Sequence, residues 1–374
     1  MKIKKLIYNV LRTTKYYISL NIMKTRNQLN VFFRLVKEKR HKIKKRPNTI
    51  QMPITFLCNF DCVMCGMHHM TGRKDFSTKE IETILLDKFF ANITSVGVNG
   101  GEPFLRKDLV ECVETLVSKL PKLKKIYFIS NGFFTDMILE KLEQIKEKCA
   151  CANIEVFLSI SVDGIDDMQD FHRGKKDAFK NAEKTIELIL AKKDKYVDYI
   201  DVISTITKYN IYRIFEVETW AKEKGIDVAY NIATENVRIE NQDRVDDFSL
   251  LGDKHARFLA QEFFYNQYRK TKKEKYYALF LFLKTGKRYA PCPCMYNEWI
   301  TLTPDCQIGF CATHSKNLGS GLDYSAGELI ANNMEYLNEI KNTYCNSCSH
   351  YIYRLNAEGL KIKLQDDLKN SFMR

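Results

Sequence analysis

Three cysteines, Cys58, Cys62 and Cys65, stand in the spacing C-x3-C-x2-C within the stretch TFLCNFDCVMC at residues 55–65. Three thiolates on one tight loop can hold three irons of a cubic [4Fe–4S] cluster. The fourth iron then has no protein ligand. Clusters that only pass electrons are closed by four cysteines, so a three-cysteine loop predicts an iron reserved for something else. Structural zinc is the competing reading. It takes four ligands, usually from C-x2-C pairs, and His68 or His69 could complete such a set.

The other cysteines point the same way. The chain has twelve, three near residue 60 and six between 292 and 348. Clustering of this kind, without a recognisable signal peptide, favours metal over disulfides. Cys112 falls in a helical stretch and reads as core. Cys149 and Cys151 read as bystanders that follow a helix.

Further along come residues able to hold a polar ligand. Asn99-Gly100-Gly101-Glu102-Pro103 offers two glycines, which allow close backbone approach, and a carboxylate that can accept hydrogen bonds from an ammonium group. Ser130-Asn131-Gly132 is by itself an ordinary turn. Ser161 and Asp163 lie in SISVDG, and Arg173 follows twelve residues after Ser161 in FHRG. Arg173 could equally pair with Asp167 or Asp170, with Asp163 bracing its turn.

Taken together, residues 50–235 resemble the radical S-adenosylmethionine (SAM) superfamily, through the three-cysteine loop, the GGEP stretch and the SNG turn that resembles the family's TNG. The spacing of Ser161 and Arg173 resembles the sulfatase-maturating members. The resemblance implies that Cys58, Cys62 and Cys65 ligate the SAM-binding cluster. It implies SAM contacts from Gly100, Gly101, Glu102, Pro103, Asn131, Ser161 and Arg173, with Met64 against the adenine. It also implies reductive cleavage of SAM to a 5′-deoxyadenosyl radical, then hydrogen-atom abstraction from a substrate, with an electron donor such as flavodoxin or ferredoxin.

The C-terminal cysteines resemble a second known pattern. Cys294, Cys306 and Cys311 are spaced like C-x9–15-G-x4-C, with Cys306 at the glycine position, and Cys345-x2-Cys348 follows. This is similar to the SPASM domain in its shortened, twitch form. It implies one auxiliary [4Fe–4S] cluster on Cys294, Cys311, Cys345 and Cys348. Cys292 also fits the spacing in place of Cys294. Cys306 is either a ligand or a small residue at a turn, and four thiolates suit zinc as well.

These residues need elements to position them. An apolar strand over 50–57 delivers the first cysteines. Strands are then expected at 94–98, 125–129, 154–162, 199–207 and 227–232. They alternate with helices at 77–90, 108–120, 135–147, 176–191 and 211–224. Ser77 and Glu80 form a capping box. Alternation of this kind predicts an α/β fold with a parallel sheet, here a partial (β/α)6 TIM-like barrel. Its site should lie at the C-terminal strand ends. The expected division is a basic helical arm at 1–48, the barrel at 49–235, a helical bridge at 236–286, the cysteine-rich domain at 287–350 and a tail at 351–374.

Charge narrows the function classes. The net charge is +13, but residues 1–46 carry fifteen Lys or Arg against Glu38 alone, so the remainder is nearly neutral. The basicity belongs to the arm, and no interleaved aromatics suggest base stacking, which argues against a specific nucleic-acid partner. The arm's apolar residues would let it lie on an anionic membrane surface, or pack on the body as a solvated helix. No run of about 18 apolar residues exists, and the expected location is cytoplasmic, with peripheral contact at the inner membrane surface through residues 1–46.

The function expected is therefore that of a radical SAM oxidoreductase acting on a small molecule or carbohydrate. A peptide substrate and a non-catalytic metal-binding protein are the alternatives. An oxidation would need a base. Asp305 and Glu298 are acids near the second cysteine group, and no catalytic residue is singled out.

Overall fold

The computed structural model describes residues 25–39 and 46–372. Residues 1–24 and 40–45 of the basic arm lie outside the described residues. Helix α1 covers 25–39. Its Arg34 donates to both carboxylate oxygens of Glu274 and to the Leu355 carbonyl. Its Glu38 accepts the Ala357 N–H at 3.0 Å. Residues 25–39 of the arm are thus a helix docked on the body, while Phe32 and Phe33 remain 57% and 63% exposed.

The barrel runs β1 (Thr49–Thr55), α2 (Thr78–Leu85), β2 (Ser95–Gly100), α3 (Leu109–Lys119), β3 (Lys125–Ser130), α4 (Thr135–Cys151) and β4 (Glu155–Ser161). It continues through α5 (Asp167–Arg173), α6 (Ala178–Ala191), the short α7 (Lys193–Tyr196), β5 (Tyr199–Ile206), α8 (Ile214–Lys224) and β6 (Val228–Ile232). The six strands are parallel and each pairs with its sequence neighbours. Their alternation explains the layering. Ile126, Phe128, Val156, Leu158, Ile160 and Val202 belong to the main core. The opposite face carries Tyr127, Phe157 and Tyr199, whose rings follow one another at 4.9 and 5.5 Å.

The capping box at Ser77 and Glu80 is present. That helix stops at Leu85 instead of running to Phe90, because Asp87 caps a separate 3-10 turn at Lys88–Phe90. Cys149 and Cys151 do not follow a helix. They form the last turn of α4, since Ile138, Leu142, Ile145 and Cys149 make one buried stripe at helical spacing.

Beyond β6, α9 (Val245–Phe248), α10 (Lys254–Thr271) and α11 (Glu274–Thr285) lead to β7 (Trp299–Leu302), β8 (Gln307–Gly309) and β9 (Gly319–Ser320). Helices α12 (Ala326–Asn332), α13 (Met334–Thr343) and α14 (Ala357–Phe372) complete the described chain. Strand β7 pairs in parallel with β1, so one nine-stranded sheet spans the barrel and the cysteine-rich region. That pairing brings the second cysteine group to the edge that carries the first. Among the described residues, no helix is long and apolar enough to cross a membrane.

Candidate iron–sulfur and SAM site

The loop after β1 is held from many sides. Phe56 N–H donates to Asp75 at 2.9 Å. Val63 N–H reaches the His172 carbonyl, Gly66 N–H the Ile239 carbonyl, and Glu102 N–H the Leu57 carbonyl. The Asn241 amide donates to the Met64 carbonyl. A side chain at Gly101 would put its Cβ 2.0 Å from the Leu57 carbonyl oxygen, so only glycine permits this approach. Gly174, at φ +59, lies equally close to Asp61. The cysteine loop is therefore clamped between the GGEP turn and the end of α5.

Within this frame Cys58, Cys62 and Cys65 sit together, packed against Phe60 and Met64. Burial pushes the Cys58 and Cys62 thiols up to about 12, with Arg173 working against it. Thiolates in such a place need cationic metal to form. Met64 is buried in this small apolar cluster.

Glu102 is buried at the end of β2. Its carboxylate accepts from Phe104 N–H, the Ser130 hydroxyl and Asn131 N–H, at 3.2, 2.9 and 2.7 Å. Burial raises its pKa to about 7, against those three donors. Asn131 also donates to Asn59 in the cysteine loop. The SNG turn thus orients the GGEP carboxylate as well as contributing to the strand ends. Pro103 starts a 3-10 turn that Glu102 caps.

Ser161 is buried at the end of β4. Arg173 pairs with neither Asp167 nor Asp170. Asp167 binds Arg213, and Asp170 accepts from the Asp177 and Phe179 backbone. Arg173 bonds instead to Asp163 at 2.8 Å and points its Nη1 at Cys62 Sγ, 3.9 Å away. Asp163 also accepts from Thr205 N–H and bonds His172. Burial raises its pKa, but Arg173 and His172 outweigh this and hold the carboxyl below the usual range.

The second group surrounds one cavity, lined by Cys292, Cys294, Cys311, Cys345 and Cys348. Arg288 organises its walls by donating to the carbonyls of Ala290, Pro291, Cys348, His350 and Tyr351. His314 N–H and His350 N–H point at Cys311 and Cys348 sulfur, at 3.3 and 3.4 Å. Both Cys292 and Cys294 face the cavity. Cys306 does not. It sits at φ +64 in the β7–β8 turn, where its N–H bonds Thr303, and is the small residue at a turn. Asp305 is exposed and accepts from Thr303. The Glu298 carbonyl accepts Asn48 and Thr49 N–H where the two regions join.

The donor sets fit iron–sulfur clusters. Asn59 Nδ2 and Arg173 Nε are buried beside the first thiols without a partner, as are Thr313 Oγ1 and His350 Nε2 beside the second. Such donors suit an anionic, sulfur-rich group. Among the described residues, no three His, Cys, Asp or Glu side chains converge on a single ion position.

Comparison with known proteins agrees. Residues 52–217 match the family model described as the Radical SAM superfamily. The match covers 166 of the 374 residues. It is 25% identical over 185 residues to a probable GTP 3′,8-cyclase of Sulfurisphaera tokodaii, covering 48% of this chain and 53% of that protein. It is 31% identical over 147 residues to the GTP 3′,8-cyclase of Pasteurella multocida, covering 37% and 43%. The chain spans about half the length of these curated relatives. The fold is shared with anSMEcpe with bound AdoMet, at TM-score 0.57 and 17% identity over 87% of this chain and 96% of that one. It is also shared with Streptococcus suis SuiB bound to the precursor peptide SuiA, at TM-score 0.55 and 14% identity over 87% and 80%.

Proposed function

We propose that this chain is a radical SAM enzyme that oxidises or otherwise modifies a small molecule or carbohydrate by hydrogen-atom abstraction. The single observation that carries the reading is the clamped loop of Cys58, Cys62 and Cys65, with Glu102 and Arg173 converging on it. When bound, the cluster and SAM supply an electron transfer and the hydrogen-abstracting group. The protein's own residues do the positioning. Glu102 is oriented by Ser130 and Asn131 to accept from the SAM ammonium. Arg173, held by Asp163, offers its guanidinium to the SAM carboxylate, with Ser161 alongside. Gly100, Gly101 and Pro103 shape the wall, and Met64 contributes apolar surface for the adenine.

An auxiliary [4Fe–4S] cluster belongs to the same reading, on Cys311, Cys345, Cys348 and one of Cys292 or Cys294. The cavity those thiols share and its unpartnered donors support it. A peptide substrate is the second reading, favoured by the peptide-bound form of SuiB, which has the same fold. The likeness to GTP 3′,8-cyclases favours the first. Paramagnetic resonance of the reconstituted, reduced protein tests the SAM site. SAM should shift the signal of the first cluster, and a spectrum indifferent to SAM contradicts the assignment.

A further inference from the structure

A cavity of about 230 Å³ lies between the two cysteine groups. Phe56, which packs with Cys65, forms one wall, and Cys311 of the second group forms another. Its charged lining is uneven. Arg73 and Glu240 neutralise each other at 2.8 Å, both 48% exposed. Lys316 and Asp305 sit at the exposed rim. Arg238 reaches inward.

Arg238 is unusual among the described arginines. Its Nη1 donates to Asn99 Oδ1 at 3.0 Å, immediately before the GGEP turn. Its Nε is buried without a partner, and among the described residues no carboxylate pairs with it. A desolvated guanidinium with an open face is costly unless something anionic meets it. Thr301, lining the same cavity and 3% exposed, also buries a hydroxyl without a partner. Two orphaned donors in one chamber, with Lys316 over the Tyr336 ring at its rim, describe a receptor for an oxyanion. The planar fork of arginine suits phosphate or carboxylate.

We infer that this cavity receives the substrate through an oxyanionic substituent, phosphate or carboxylate, bound by Arg238 and Thr301 with Lys316 at the entrance. This deepens the radical SAM reading and rests on it for the chemistry beyond the anion. The anion site itself is read by binding alone.

The test uses the full chain with its clusters reconstituted and SAM at saturation, so that the SAM site is filled. Calorimetry follows two probes, inorganic pyrophosphate and succinate. At least one binds, and Arg238→Met weakens it about 10- to 100-fold, the span of one charge-assisted pair. The tighter probe identifies the source, pyrophosphate for a phosphorylated substrate and succinate for a carboxylate. Should Arg238→Met fail to fold, Arg238→Lys and Thr301→Val decide, each weakening binding several-fold. The inference is overturned if neither probe binds the wild type. It is overturned equally if the folded variants bind as the wild type does, which would put the anion on the basic residues 1–46. SAM cleavage by the wild type is measured separately. Its failure with anion binding intact would count against the enzyme reading and leave the anion site standing.

Discussion

Replacing Asp163 with asparagine should disable the support beneath Arg173. Asp163 Oδ2 faces two donors, Arg173 Nη2 and His172 Nδ1, both at 2.8 Å, while Oδ1 takes Thr205 N–H at 2.6 Å. The carboxylate and the histidine are fully buried, and Arg173 is nearly so. An amide can satisfy Thr205 with its oxygen, but its NH2 then faces Arg173. His172 can adapt by changing tautomer, since Thr207 Oγ1 can donate or accept on its other side. Arg173 has no such option and is left a buried, unpaired cation. Breaking a buried pair in this way costs about 3–5 kcal/mol, or about 4–6 °C in Tm for a chain of this size.

The pH dependence has a definite sign. The folded-state pKa of Asp163 is depressed. Its contribution is full above the unfolded value near 4 and fades as pH falls through the folded value. The gap between wild type and Asp163→Asn should therefore be wide at neutral pH and narrow in acid. Calorimetric melting of both proteins, with the exposed-pair variant Asp167→Asn as reference, measures it. The Arg213–Asp167 pair is worth less than about 1 kcal/mol. SAM affinity should fall in Asp163→Asn and not in Asp167→Asn. Equal melting of Asp163→Asn and wild type at neutral pH would refute the buried-pair argument.

Gly101→Ala would drive its Cβ into the Leu57 carbonyl and should lose the first cluster, lowering bound iron by about four per chain; iron loading equal to the wild type would contradict the clamp. Arg106 donates to the Ile54 and Phe76 carbonyls, both at 2.6 Å, and to both oxygens of Asp108. Arg106→Met strands those carbonyls and should destabilise by about 2–5 kcal/mol in urea unfolding; a change under about 1 kcal/mol would show that they find other donors. Membrane contact predicts that replacing exposed Phe32 and Phe33 with serine weakens sedimentation with anionic vesicles. Unchanged sedimentation would remove α1 from any such contact.

What was legible in the sequence was local. The alternation of strands and helices, the capping box and the cysteine loop all rest on residues within a turn or two of each other. The structure places Glu102, Asn131 and Arg173 around that loop. Partners distant in sequence were not legible. Asp163, ten residues before Arg173, outcompeted the nearer Asp167 and Asp170 because the strand end buries it beside the guanidinium while they face solvent and backbone. Helix α5 was missed because seven residues give too few turns to show a period. The parallel pairing of β7 with β1 joins segments about 250 residues apart, beyond any periodicity argument. Arg238 stands in NVRIE with no motif around it, and only its buried, unpartnered Nε marks it. By residue type Cys306 could be a ligand or a small residue at a turn, and its positive φ places it at the turn.

The central claim is that the clamped three-cysteine loop drives SAM chemistry. The most direct measurement is anaerobic incubation of the reconstituted chain with SAM and a low-potential reductant, followed by quantification of 5′-deoxyadenosine. The account predicts 5′-deoxyadenosine from the reduced wild type and none from a variant with Cys58, Cys62 and Cys65 replaced by alanine. An iron-loaded wild type that forms no more 5′-deoxyadenosine than this variant would contradict it.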